Sequence, residues 1–124
     1  MNSVQREYHI GIDYGTSNSI VGIFMNGNVH NQNRLGERTT LSVVSFSSDK
    51  KVFLGEDTIS QNIGDYKNTI YEVKRFIGLS YEEFTKCDFS KNLNYDVVNV
   101  NNIPKIKINI HDKDYFFLQL KSVH

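Results

Sequence analysis

His9-Ile-Gly-Ile-Asp13-Tyr-Gly15-Thr-Ser17-Asn-Ser19 is the stretch on which the reading of this chain turns. Ile10 and Ile12 alternate as in a strand that runs into a turn at Asp13 and Gly15, with the hydroxyls of Thr16 and Ser17 next. A second apolar run, Ile20, Val21, Ile23 and Phe24, follows at once, so residues 9–25 are predicted to form a hairpin with a polar tip. Glycine adopts backbone angles closed to other residues, so Gly15 lets the turn aim successive N–H groups at one point. The neighbouring hydroxyls add donors, and the result is a phosphate-sized anion site. Asp13, at the strand end, is placed to hold a hydrated magnesium ion against such a phosphate. The same residues also suit an ordinary hairpin in which Asp13 bonds its own turn and Thr16 and Ser17 are solvated. The residues alone leave both readings open.

Working outward, Asn26-Gly27 tolerates the positive φ of a type I′ turn, so residues 28–32 are expected to return as a third antiparallel strand. A polar loop over 34–40 leads to a predicted strand at 41–46, which turns through 47–50 into a short strand at 52–54. After Gly55, Ile59 and Ile63 lie four apart and mark a short helix. Thr69-Ile-Tyr-Glu72 fits a capping box and Gly78 a helix stop, predicting a helix over 70–77. At about 100° per residue this helix shows Ile70, Val73 and Ile77 on one face, with Lys74 about 40° from Ile70 at its border and Arg75 nearer solvent. Ser80-Tyr-Glu-Glu83 is a second capping box, and the polar residues 88–94 end its helix. Strand patterns return at 95–100, 104–110 and 115–118, with turns at Asn101-Asn102 and 111–114, predicting a second small sheet. Residues 1–8 read as a frayed terminus and 119–124 as the start of a helix.

At 124 residues the chain is predicted to be one domain, long enough to bury a core. Fourteen basic and fourteen acidic side chains balance, so neither nucleic acid nor an acidic membrane surface is an expected partner. A single cysteine, Cys87, excludes an internal disulfide and suits a reducing compartment. The thiol reads as structural and the expected location is cytoplasmic. No apolar signal core stands at the N-terminus, and no stretch approaches the roughly eighteen apolar residues of a membrane span. His9, His30, His111 and His124 share no ligand spacing with one another, with Cys87 or with a carboxylate cluster, so no structural metal is assigned to them.

Four blocks stand in order along the chain: Gly11-Ile-Asp-Tyr-Gly-Thr-Ser17, Gly36-Glu-Arg-Thr-Thr-Leu-Ser-Val-Val-Ser-Phe46, Leu54-Gly-Glu-Asp57 and Val73-Lys-Arg-Phe-Ile-Gly78. With them the chain resembles the start of the seventy-kilodalton heat-shock chaperones, members of the actin-like ATPase superfamily. The first block is shared with sugar kinases and actins; its combination with residues 73–78 points to the chaperones and disfavours a third reading, a sugar-kinase fragment that shares only the first loop. The resemblance implies that Asp13 holds the magnesium hydration shell and that Gly15, Thr16, Ser17 and Asn18 touch the phosphates of ATP. It further implies that Lys74 is the catalytic lysine, a role that suits an ammonium offsetting the charge that develops in phosphoryl transfer. Read without the family, Lys74 is a helix-end lysine favourable to the dipole. Arg38, Thr39 and Arg75 are implied supports of the cleft wall. Two positions depart from the family pattern: Leu41 stands where proline is usual, and Asn18 where an aromatic residue often follows the hydroxyl pair.

The implied fold class is α/β: a partial actin-like ATPase lobe, with a mixed β-sheet opening and an inserted small α+β subdomain. Residues 1–39 are expected to hold the first-lobe strands and phosphate loop, 40–118 the smaller subdomain, and 119–124 a truncated helix. The family's nucleotide-binding domain is longer than this chain, so the expectation is one wall of the nucleotide cleft, incomplete for hydrolysis alone. ATP and magnesium are the implied cofactors, and ATP-dependent protein folding in the heat-shock stress response is the implied role. Unfolded clients and co-chaperones, reached through a full-length relative, are the implied partners. The alternative is a non-catalytic interaction module that docks on a full-length chaperone or its co-chaperones.

Overall fold

The computed structural model describes residues 7–33, 35–60 and 66–118. Their strands form three antiparallel sheets, joined by short helices. In the first sheet β1 (His9–Tyr14) pairs with β2 (Asn18–Met25), from His9 opposite Phe24 to Tyr14 opposite Ser19. Asn26 and Gly27 take φ of 52° and 78°, as a type I′ turn requires, and return the chain as β3 (Asn28–His30). β4 (Thr40–Leu41) adds to the tip end of β2, with Leu41 opposite Asn18 and Thr40 opposite Ser19.

One residue later the chain is in another sheet. β5 (Val43–Phe46) lies between β6 (Val52–Leu54) and β7 (Thr69–Tyr71). The third sheet is the meander β8 (Asp96–Val100), β9 (Ile103–Ile110) and β10 (Lys113–Leu118). Its two hairpin turns, Asn101-Asn102 and His111-Asp112, hold φ between 53° and 61° at four consecutive-pair positions. The helices are α1 (Asp57–Ser60) and α2 (Tyr81–Lys86), with further 3₁₀ turns at Tyr66–Asn68, Val73–Arg75 and Asp88–Asn92. The Ser80 capping box forms as predicted: Glu83 N donates to Ser80 Oγ at 3.1 Å and Ser80 N to Glu83 Oε2 at 2.8 Å.

Several expectations change. The opening sheet is antiparallel throughout among the described residues, rather than mixed. The single strand expected at 41–46 is two, broken at Ser42. The helix expected over 70–77 does not form: residues 69–71 are strand β7, Glu72 sits in the left-handed region at φ 56°, and Val73–Arg75 is one 3₁₀ turn. Thr69 and Ile70 are β-branched, and the open edge of β5 offers them a partner. Pairing buries Ile70 and lets Thr69 Oγ1 share a 2.7 Å hydrogen bond with Ser45 Oγ. The N-cap forgone contributes about 1 kcal/mol, comparable to one hydrogen bond, and pairing with β5 together with the Ser45–Thr69 bond supplies more than one. Ile63 and residues 119–124, on which two helix predictions bear, lie outside the described residues.

The core gathers Ile70, Phe76, Phe84, Tyr95, Ile106 and Ile108, between the second sheet, α2 and the third sheet. Phe76 is fully buried, with its ring 5.1 Å from that of Phe84. Asn68, also buried, behaves as an extra strand residue: its Nδ2 donates to Asn109 O at 2.8 Å, and its Oδ1 accepts from Asn109 N at 3.1 Å. The turn bearing Lys74 is therefore held between two core side chains, Ile70 and Phe76, while β1 stands outside the core with all six residues exposed.

Candidate functional site

The hairpin tip spans Gly15, Thr16 and Ser17, between the last residue of β1 and the first of β2. Gly15 is needed there for space rather than for a left-handed backbone. It is absent from the positive-φ residues, yet a Cβ on it would stand 2.1 Å from the carbonyl oxygen of Asn18. This corrects the conformational argument drawn from the sequence. The chain closes so tightly that only a residue without a side chain fits.

The tip is fastened from the segment that follows β4. Ser42 Oγ donates to Gly15 O at 2.9 Å and shares a 2.8 Å hydrogen bond with Ser19 Oγ, and Ser42 N donates to Ser17 O at 2.9 Å. β4 is braced in turn by the Gly55-Glu56 corner. Glu56 Oε1 accepts from Leu41 N at 3.0 Å, and Gly55, at φ 57°, lies so close that a Cβ would come within 2.8 Å of Thr40 Cγ2. Ser42 and Glu56 are supports that the sequence reading missed. The signal available was their place in two of the quoted blocks; their partners lie 27 and 15 positions away.

Lys74 reaches this tip from the second sheet. Its Nζ donates to the carbonyl oxygen of Tyr14, 60 positions earlier, and lies 5.1 Å from the centroid of the Tyr14 ring. Asp13, Gly15, Thr16, Ser17 and Asn18 are thus contiguous on one hairpin, with the Lys74 ammonium beside them. Among the described residues, the side chains of Asp13, Thr16, Ser17 and Asn18 form no hydrogen bond or ion pair with the protein. Asp13, Ser17 and Asn18 are exposed, and Thr16 is half-buried. The implied wall supports are placed otherwise. Arg75 faces its own segment, with Nε 3.5 Å from Glu72 Oε2 and its guanidinium 5.9 Å from the Phe89 ring centroid. Arg38 and Thr39 lie on the exposed loop before β4, where Thr39 O accepts from Asn33 Nδ2 at 3.0 Å.

Chemically, the tip offers backbone and hydroxyl donors, one carboxylate and one ammonium in a small solvent-open region. This donor set suits an anion with an accompanying hydrated cation. Among the described residues, no group of three or more His, Cys, Asp or Glu side chains is placed to hold a metal ion. No helix among those residues is long and apolar enough to cross a membrane.

The chain is similar to known proteins over most of its length. The sequence pattern of the family described as Hsp70 protein matches residues 9–123. The chaperone protein dnaK1 of Prochlorococcus marinus subsp. pastoris is 39% identical over 82 residues, which are 65% of this chain and 12% of that relative's length. The chain therefore spans a small part of the curated relative it matches, and across its matched residues it belongs to the Hsp70 family.

Proposed function

We propose that the hairpin tip is one wall of a magnesium–ATP site, and that the chain takes part in ATP-dependent protein folding as the phosphate-holding portion of a chaperone. The observation that carries this reading is the meeting of Lys74 with the tip across 60 positions of sequence. An ordinary hairpin has no need of an ammonium delivered from a second sheet. In this reading the N–H groups and hydroxyls of Gly15–Asn18 hold phosphate oxygens, and Asp13 accepts hydrogen bonds from the hydration shell of magnesium. Lys74 offsets charge at the transferring phosphoryl group. Bound magnesium–ATP supplies the phosphoanhydride to be cleaved; the residues here bind and orient it.

The same reading assigns residues 1–39 to the phosphate wall and 40–118 to a smaller subdomain, with a cytoplasmic setting and with unfolded clients and co-chaperones as partners. Among the described residues, strands β5 to β10 pair only among themselves, which supports that division, although β4, just past the boundary, pairs with β2. The test is a chimera in which residues 9–123 replace the corresponding segment of the Prochlorococcus chaperone. Single-turnover hydrolysis of magnesium–ATP is expected, and Lys74→Ala is expected to slow it by roughly 100-fold or more while nucleotide affinity changes little. An unchanged rate in Lys74→Ala would return Lys74 to a structural role.

One observation favours a second reading, a non-catalytic module docking on a full-length relative: Ile10 and Ile12 stand exposed along β1. A chimera that binds no nucleotide, together with capture of the relative by the 124-residue chain, would support it.

A further inference from the structure

Three contacts between a cationic side chain and an aromatic ring occur among the described residues, and they join different things. Lys113 lies over Tyr115 two residues along the same strand, and Arg75 lies over Phe89 beside the core. Lys74 crosses from the turn after β7 to the end of β1, where Tyr14 meets its ammonium twice, through the ring face and through the carbonyl oxygen. The electron-rich face of a phenol ring attracts an ammonium in addition to any hydrogen bond the group makes.

Packing does not account for an aromatic ring at this position. Tyr14 is 55% exposed and stands opposite the small Ser19. Among the described residues its hydroxyl bonds to no protein group. Both ends of the contact are otherwise fixed. The Tyr14 backbone belongs to the β1–β2 ladder, and the backbone of Lys74 runs between left-handed Glu72 and fully buried Phe76. What remains loose is the flexible stem of Lys74, and the Tyr14 ring and carbonyl take up that freedom.

We infer that Tyr14 is a positioning residue for Lys74, holding its ammonium at the hairpin tip before an anion arrives. The ring face does this, not the hydroxyl, so phenylalanine substitutes for it and an aliphatic residue does not. The purpose of the contact rests on the proposed phosphate role of the tip. The contact itself is tested without nucleotide.

The experiment uses the 124-residue chain carrying ¹³C-labelled lysine, with the Lys74 ε-methylene signal assigned by its loss in Lys74→Arg. A ring face beneath the ammonium displaces that signal upfield from the other lysines. The displacement is expected to persist in Tyr14→Phe, and carbon relaxation is expected to show the ε-methylene held in wild type and in this variant and several-fold more mobile in Tyr14→Leu, where the backbone carbonyl alone remains. A wild-type signal already at the position of the other lysines, which needs no variant to detect, overturns the inference. So does an ε-methylene as rigid in Tyr14→Leu as in wild type. Titration of the chimera with magnesium and inorganic pyrophosphate then addresses the phosphate reading separately, through the amide signals of Thr16 and Ser17. If those amides do not respond, the phosphate reading fails, whatever the lysine signal has shown about Tyr14.

Discussion

The hydroxyl of Ser42 donates to the carbonyl oxygen of Gly15 at 2.9 Å, so the residue at which the chain leaves the first sheet also holds the hairpin tip. Ser42→Ala removes this bond and the one shared with Ser19, while the backbone bond from Ser42 N to Ser17 O remains. Each lost hydrogen bond contributes roughly 0.5–1.5 kcal/mol. The expected outcome is a lower urea midpoint with an unchanged slope, and faster amide exchange at the tip than in β8–β10. Equal exchange at the tip in both proteins would show that the hydroxyl holds nothing there.

Gly15→Ala is expected to be more damaging than its single methyl suggests. The added Cβ would sit 2.1 Å from Asn18 O, a backbone atom that moves only if the hairpin reopens. Overpacking of this kind costs about 1–3 kcal/mol, and the displaced tip should also lose magnesium–ATP affinity in the chimera. Calorimetric melting and nucleotide titration of the same variant separate the two effects.

Asp13→Asn should leave the fold intact, since Asp13 is exposed and its side chain has no protein partner among the described residues. In the chimera it should weaken nucleotide binding only when magnesium is present, because an amide offers a hydrated cation no full charge. Identical affinities of wild type and variant, with and without the metal, would make Asp13 a turn former.

The 124-residue chain alone is expected to bind magnesium–ATP with a dissociation constant weaker than roughly 1 mM. Its phosphate donors lie on a solvent-open hairpin, where charge interactions are several-fold weaker than in a closed cleft. Ile10 is 63% and Ile12 70% exposed, so the chain should also bind a hydrophobic dye. Micromolar ATP binding by a monomer in isothermal titration would contradict this.

Stability should fall above about pH 10 through Tyr95. Burial, and then the charges of Tyr71 and Glu72, push its phenol above the ordinary value of 10.0. Its hydroxyl donates to Tyr71 O at 2.6 Å, a bond only the protonated form makes. At pH values between the unfolded and folded ionisations the unfolded chain binds fewer protons than the native one, so unfolding free energy declines as pH rises. The contribution is complete below the unfolded value and lost through the folded one. Denaturant midpoints measured from pH 8 to 11 should therefore drop less steeply in Tyr95→Phe than in wild type.

Features legible in the sequence were those whose causes are local. Asn26-Gly27, the Ser80–Glu83 box and the alternation of Ile106, Ile108 and Ile110 each act within a few residues, and each forms as read. Thr69 to Glu72 carried an equally good local signal, but Ile70 pairs with Val44, far back in the chain. A capping motif contains no record of an open strand edge elsewhere. The site divides in the same way. Asp13 and residues 15–18 sit together because they are neighbours in sequence. The resemblance pointed to Lys74, but only the folded chain places its ammonium on Tyr14. Ser42 and Glu56 act on backbone atoms that carry no side-chain signature.

Asn68 ties the segment that leads to Lys74 to a strand made later in the chain. Its amide is fastened to Asn109, a residue that leaves the ribosome only after Lys74 has emerged. The β1–β2 hairpin needs nothing beyond Met25 to close its own ladder, whereas the segment carrying Lys74 reaches its full set of anchors only when β9 has been made. In chain order the hairpin, and the Ser42 that fastens its tip, therefore precede the last residue that anchors the segment of its lysine.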